Sequence, residues 1–439
     1  MLFPSGQPAF LRQFFKLAAV NILSNLMVPL AGLIDVAFLG HLAEIHHLAG
    51  VTLATVLFNY IYWTFGFLRM GTTGMTAQAV GREDEELVLL IGLRHGVLAL
   101  GLGLAILVLQ QPLRVLGFAL LSATPEVKVS GQAFYNALIW GAPATLINFV
   151  IVGWFLGRGQ SDRVLLLSAI SSGANVLLDY LFILRWGWES TGAGLATAAS
   201  QYLMLLVGVL LVCREVRFEQ VQALAGKLFD LDAMKVAFTL NGDILIRTFA
   251  LISTFAIFTN LSSTLGTVVL TTNAVLMQVV TLAAYFIDGL AFATESFAGI
   301  FQGKGTTNGL KRLVQVSGGS SLCLGLMVAI AFLVNPKPLF SLLTNHTEIL
   351  DRLSHYVPWL LPVLGFGSIA YMLDGYFLGL TRGRVLRQSM LKAVLVGFAP
   401  MAIAAWYFHS GHLLWLALSL FMAIRALTLG LQVSHTLRN

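Results

Sequence analysis

The chain has 439 residues, of which 57% are hydrophobic and only 10% charged, with 26 Lys+Arg against 20 Asp+Glu for a net charge of +6. A soluble surface needs roughly 25% charged residues, so a soluble globular enzyme is excluded. The apolar residues, about 250 of them, suffice for twelve membrane-crossing helices of roughly 20 residues each.

In chain order, apolar stretches bounded by charges or Gly/Pro breaks predict spans over 14–39, 48–80, 87–110, 127–157, 163–184, 191–213, 234–260, 267–302, 311–334, 350–380, 386–408 and 412–434. Several exceed 25 residues and imply tilted helices or helices that project beyond the bilayer. Arg12 and Lys16 open the first stretch and no small-residue cleavage pattern follows it, so it reads as a retained helix. Cys213 and Cys323 are the only cysteines, too few for a disulfide framework or a Cys-based metal motif.

With a cytoplasmic N-terminus, eighteen of the 26 basic residues fall on the inner side and five on the outer, while Arg69, Arg247 and Arg425 lie within spans. That asymmetry predicts cytoplasmic N- and C-termini and an even number of spans. The basic excess is thus ascribed to topology, and no nucleic-acid partner is expected. The longest inner connection, about 214–233, has six spans on each side. The expected organisation is an N-lobe over 1–216, a cytoplasmic linker over 217–231 and a C-lobe over 232–439. An internal repeat supports it: GWFLG (Gly153 to Gly157) returns as GYFLG (Gly375 to Gly379) at an offset of 222, and spans two and eight align at 218, placing Gly71 on Gly289 and Thr76 on Thr294. Repeats of six spans share one orientation, related by an axis along the membrane normal, as in transporters whose site lies between rocking lobes.

Six acids fall inside predicted spans: Asp35, Asp179, Asp243, Asp288, Glu295 and Asp374. Each is costly at bilayer depth unless paired, protonated or hydrated, and such acids mark ion or proton pathways. Asp35 follows Pro29, whose missing N–H opens a carbonyl and favours a helix bend. Asn175 and Asp179 share a face at i, i+4, with Ser171 and Ser172 a turn earlier, and Thr197 and Gln201 share a face of the sixth span. If these faces converge, two carboxylates and neutral oxygens form an acidic chamber able to hold a proton or a hard monovalent cation. The bland alternative is helix-to-helix hydrogen bonding. Asp243 and Arg247, also i, i+4, are expected to form a structural ion pair. Asp288, Glu295 and Asp374 have no cation nearby in sequence and are candidates for substrate binding or coupling.

His41, Glu44, His46 and His47 cluster in the first outer loop, but HLAEIHH is not HExxH and a short exposed loop is a poor ligand shell, so no metal site is expected. P-loops, hydrolase elbows and dinucleotide fingerprints are missing, which points away from direct ATP drive toward an ion gradient. Met70, Met75, Met277 and Met372 suit either gap-filling or an adaptable pocket.

Several segments together resemble the multidrug and toxic compound extrusion (MATE) family, in particular its DinF-like branch: LIDVAFLGHL (33–42), NVLLDYLFI (175–183), GAGLATAAS (192–200), GDILIRT (242–248), YFIDGLAFATESFAG (285–299) and LDGYFLGLTR (373–382). The resemblance implies an all-α polytopic protein of twelve helices in two six-helix lobes related by a pseudo-twofold. It also implies export of organic molecules against inward H⁺ or Na⁺. Asp35 matches the family's first-span coupling acid, Asn175, Asp179 and Thr197 its companions, and Asp374 an acid of a C-lobe cation site. Ala31 stands where a Tyr precedes that first acid by a turn, so a phenol-dependent network would be wired differently here. Asp243 with Arg247 replaces a free glutamate, which argues against a C-lobe sodium site.

The expectation is therefore a multidrug-type antiporter, not an enzyme, in which Asp35 and Asp179 alternate between protonated and ionised forms. It would work as a monomer in a bacterial inner membrane on a small organic substrate, with no cofactor beyond H⁺ or, second, Na⁺. The alternatives are a flippase of lipid-linked precursors, which needs a cationic cavity where few buried arginines are apparent, and a membrane-embedded enzyme, which needs a nucleophile or metal constellation.

Overall fold

A computed structural model describes residues 7–40, 42, 44–121, 123–341 and 347–437; among them there is no strand. Twelve helices are long and apolar enough to cross a membrane: α1 Ala9–Gly40, α2 Ile45–Gly81, α3 Glu85–Val108, α4 Pro125–Gly157, α5 Ser161–Arg185, α6 Glu189–Glu215, α7 Asp232–Thr264, α8 Thr267–Gly303, α9 Thr307–Val334, α10 Ile349–Gly379, α11 Gly383–Phe408 and α12 Gly411–Thr436. Each matches a predicted span to within a few residues at most ends. The helix satisfies every backbone group internally, which hydrocarbon demands, and leaves apolar side chains such as Leu100, Leu104, Ile403 and Leu427 exposed.

The chain forms two compact units, Leu23–Ala237 and Met1–Ile22 with Phe238–Asn439. This departs from the expected boundaries at both ends of the N-lobe. The start of α1 belongs to the C-terminal unit because Phe10 meets Phe297 of α8 edge-on at 5.4 Å, Phe14 is fully buried nearby, and Ile22 lies against Gly289. The linker belongs to the other unit. It is helical over Phe218–Leu224, and Arg94 of α3 donates to the carbonyls of Lys227 and Leu228 at 2.7 and 3.3 Å, while Lys227 pairs with Glu86. The adjoining ends of α4, α5 and α6 are tied by Glu215, which pairs with Arg158 and Arg163.

The internal repeat is more regular than the sequence alignment suggests. Helices α2, α3, α5 and α6 begin at Ile45, Glu85, Ser161 and Glu189, and α8, α9, α11 and α12 at Thr267, Thr307, Gly383 and Gly411, each pair separated by the interval that separates Gly153 from Gly375. Left-handed residues recur at the same interval in the connecting turns: Glu83 with Gly305, Gly159 with Thr381, Gly187 with His409. A Cβ on Gly153 would strike the Arg69 carbonyl at 2.5 Å and one on Gly157 the Thr73 carbonyl at 2.6 Å; Gly375 and Gly379 sit equally tightly on the Ala291 and Glu295 carbonyls. Arg69 stands to Ala291, and Thr73 to Glu295, as Gly153 does to Gly375, so one interval relates both sides of every contact. The alignment of spans two and eight at 218 is therefore corrected by one helical turn, an error that leaves the helix face unchanged and so looks acceptable in sequence. The glycines let α4 and α10, whose most apolar 18-residue stretches are 78% and 56% buried, the highest of the twelve, close on α2 and α8 as cores of their units.

Candidate coupling site and buried ion pairs

In the unit Leu23–Ala237, α1, α5 and α6 bring the predicted polar residues together. The carboxyls of Asp35 and Asp179 lie against each other. Asp179 is fully buried, and among the described residues no hydrogen-bond donor serves Asp35 Oδ1 or either oxygen of Asp179. Asn175 is one turn before Asp179; its Nδ2 donates to Thr197 Oγ1 at 3.3 Å, and Thr197 donates to the Ala193 carbonyl at 3.0 Å. Gln201 Nε2 reaches Ser171 Oγ at 3.4 Å, and its backbone and side-chain carbonyls accept from Asn148 at 2.9 and 3.1 Å. The neutral residues are thus bonded to one another, in keeping with helix-to-helix hydrogen bonding, and leave the two acids as a separate, donor-poor pair.

Local structure frames that pair from both sides. Pro29 sits inside α1, which is helical without a break from Gln7 to Gly40, and Ser172 Oγ donates to the Met27 carbonyl at 3.4 Å, two residues before the proline. Directly after Asp179 the helix widens into a π-turn over Tyr180–Arg185. No proline is present to cause it, and π-turns of this kind concentrate at functional sites. The similar widening over Ala393–Phe398 precedes Pro400, whose missing N–H accounts for it.

In the other unit the ion pairs differ from those expected. Arg247 does not have Asp243 as its ion-pair partner: its Nη1 donates to Asp374 Oδ2 at 2.7 Å, across from α7 to α10, while Asp243 pairs with Arg387 of α11 at 2.6 Å. Asp374 also accepts from Arg425 Nη2 of α12 at 2.6 Å. A carboxylate expected to have no cation nearby therefore holds two buried guanidiniums; Arg425 is fully buried and also lies over the Tyr371 ring at 5.2 Å. Among the described residues these two are the buried arginines, in line with the expectation of few. Glu295 is fully buried and Asp288 partly so, both on α8. Arg425 carried a readable signal: a guanidinium within an apolar span with no acid one turn away must find one on another helix. Arg387 carried none, because it falls among the basic residues at the start of the eleventh span, where a cation needs no buried partner.

The MatE family pattern matches residues 21–181 and again 244–403, one match in each half of the doubled frame. The chain is 32% identical over 420 residues to DNA damage-inducible protein F of Escherichia coli, covering 95% of this chain and 91% of that one. It is 21% identical over 348 residues to a probable multidrug resistance protein NorM of Thermotoga maritima, covering 78% and 74%. In structure it resembles a MOP superfamily transporter from Pyrococcus furiosus with a TM-score of 0.87 at 19% identity, covering 97% of this chain and 95% of that one.

Proposed function

The chain belongs to the MatE family, whose members are integral membrane transporters and not enzymes, and on that premise we propose that it is a secondary antiporter exporting small organic molecules, drug-like compounds or metabolites, against inward H⁺, with Asp35 and Asp179 as the coupling acids. One observation carries this reading: two carboxyls meet inside an apolar unit with, among the described residues, no donor to either Asp179 oxygen. Two ionised carboxylates about 4 Å apart repel by about 4 kcal/mol at an effective dielectric near 20. A proton held between them removes that repulsion, and its release restores it. The pair therefore has two states of different internal energy, which is what a coupling element requires. Pro29 and the π-turn after Asp179 are the points at which α1 and α5 yield. Asn175 and Thr197 fix the neighbouring faces. Cytoplasmic termini, a monomer and a bacterial inner membrane complete the proposal.

The C-terminal unit supports placing coupling elsewhere. Asp374 is bonded through Oδ2 by two guanidiniums, so a cation brought to it would meet two positive charges. Both arginines are aimed at that carboxylate, which also argues against a phosphate clamp and hence against a lipid-precursor flippase.

The test is efflux from proteoliposomes under an imposed pH gradient. Asp35→Asn and Asp179→Asn should each lower gradient-driven efflux at least tenfold while the proteins elute as folded particles; undiminished efflux refutes the assignment. If collapsing the pH gradient has no effect and removing Na⁺ stops transport, the pair binds sodium instead.

A further inference from the structure

The end of the unit Leu23–Ala237 where α1 joins α2 and α5 joins α6 carries a cluster that the coupling scheme does not use. Glu44, His46 and His47 offer one donor atom each within 4.8 Å of one another. Glu44 Oε2 lies 3.2 Å from His46 Nε2 and 3.9 Å from His47 Nε2, and Glu189 Oε2 of α6 approaches His47 Nε2 to 3.0 Å. Zinc bonds of about 2.0–2.1 Å in a tetrahedron separate ligand atoms by about 3.3 Å, so Glu44, His46 and His47 need only small side-chain adjustments to close on an ion, and Glu189, outside that set of three, a larger one to join them.

The objection that a short exposed loop cannot hold ligands rigidly fails for His47. It is 8% exposed, and its Nδ1 is engaged by Ser190 Oγ at 3.0 Å and Ser130 Oγ at 3.4 Å. Fixing one ring nitrogen so that the other faces the donor set is the outer-shell arrangement of metal-binding histidines. His46 packs on His47 with ring centroids 4.2 Å apart. Beside them is a cavity of about 410 Å³ lined also by Glu126, Trp188 and Glu189. His41 lies outside the described residues.

Comparison within the molecule separates this cluster from the scaffold. In the second copy of the frame, the same helix starts are built with Gly266, Val268, Val269 and Gly411 in place of Glu44, His46, His47 and Glu189. The fold does not need the polar set. Glu189 adds backbone strain, with φ of +50°, and among the described residues it is the one left-handed non-glycine whose turn the repeat does not duplicate. Strain kept at one residue is a mark of function.

We propose that Glu44, His46 and His47, with Glu189 as fourth donor, form a binding site for a divalent transition-metal cation of the Zn²⁺ class. Imidazole nitrogens with carboxylate oxygens favour Zn²⁺ over Mg²⁺ or Ca²⁺. The ion joins the α1–α2 connection to the start of α6 and so braces one end of the unit.

The experiment is calorimetric titration of tag-free full-length protein in detergent with Zn²⁺ alone, followed by thermal unfolding. One ion should bind per chain and raise the unfolding temperature, and Mg²⁺ should do neither. His46→Gln and Glu44→Gln, both at partly exposed positions, should weaken binding at least tenfold without lowering the zinc-free unfolding temperature, and Ser190→Ala should weaken it by releasing His47. Absence of binding at millimolar Zn²⁺, or equal affinity in His46→Gln and the parent, overturns the proposal. The readout is binding, so it stands or falls independently of the transport mechanism.

Discussion

Asp374 shows at the scale of one residue how burial decides what a charge can do. With Arg247 and Arg425 both bonded to Oδ2, it neutralises one of two buried cations, and Tyr371 offers its ring face to Arg425. Removing one partner of a buried ion pair costs about 3–5 kcal/mol because the survivor stays buried unpaired. Asp374→Asn should therefore lower the unfolding temperature of the detergent-solubilised protein sharply, and adding Arg425→Met should recover part of the loss. A single variant that melts like the parent would show that the triad is not structural. Asp35 and Asp179 are the opposite case: among the described residues no hydrogen-bond donor serves Asp35 Oδ1 or either oxygen of Asp179.

Among the elements, the linker is the one whose character changed most between sequence and structure. Its place between six spans and six predicted a linker; it is docked on α3 and ends in a helix cap. Asp230 Oδ1 accepts from the Ala233 amide at 3.0 Å at the start of α7. That hydrogen bond, ahead of the field of Arg94, holds the Asp230 carboxyl below its ordinary value. A carboxyl lowered by folding contributes stability above its unfolded value, and the contribution is lost as pH falls through the folded one. Amide protection factors at residues 232–235, taken relative to the intrinsic exchange rate at each pH, should therefore fall on acidification through the carboxylate range in the parent, whereas Asp230→Ala should show low protection there already at neutral pH and little further change. Identical acid responses would exclude the cap as the cause.

For the whole molecule, the doubled frame separates scaffold from chemistry. Four pairs of helix starts, three left-handed turns and the two glycine contacts are duplicated. The polar sites are not: one repeat beyond Asp179 stands Met401, and one repeat before Asp374 and Arg425 stand Val152 and Leu203. Two copies of one frame thus carry a donor-poor acid pair in one unit and a charge-saturated triad in the other. Because the glycine contacts are equivalent, Gly157→Ala and Gly379→Ala should each destabilise by about 1–3 kcal/mol through overpacking, and by similar amounts. Unfolding midpoints in mild denaturant check this; a harmless change at either position would mean the helices separate there at no cost.

Membrane residence, twelve helices and the doubled frame were determined by the sequence alone. Each is a sum over some twenty residues of hydrophobicity, or a recurrence of small residues at close helix contacts, and such signals survive local error. That Asn175 and Asp179 share a face of one helix was also legible, since i, i+4 spacing sets a face. Only the tertiary structure decided which charges meet. Arg247 and Asp374 are 127 residues apart, Arg425 and Asp374 51, and His47 and Ser190 143. Local spacing offered Asp243 to Arg247 as the nearest carboxylate, but in a bundle the interhelical neighbour is as close as the next turn, and geometry across the gap selects the partner.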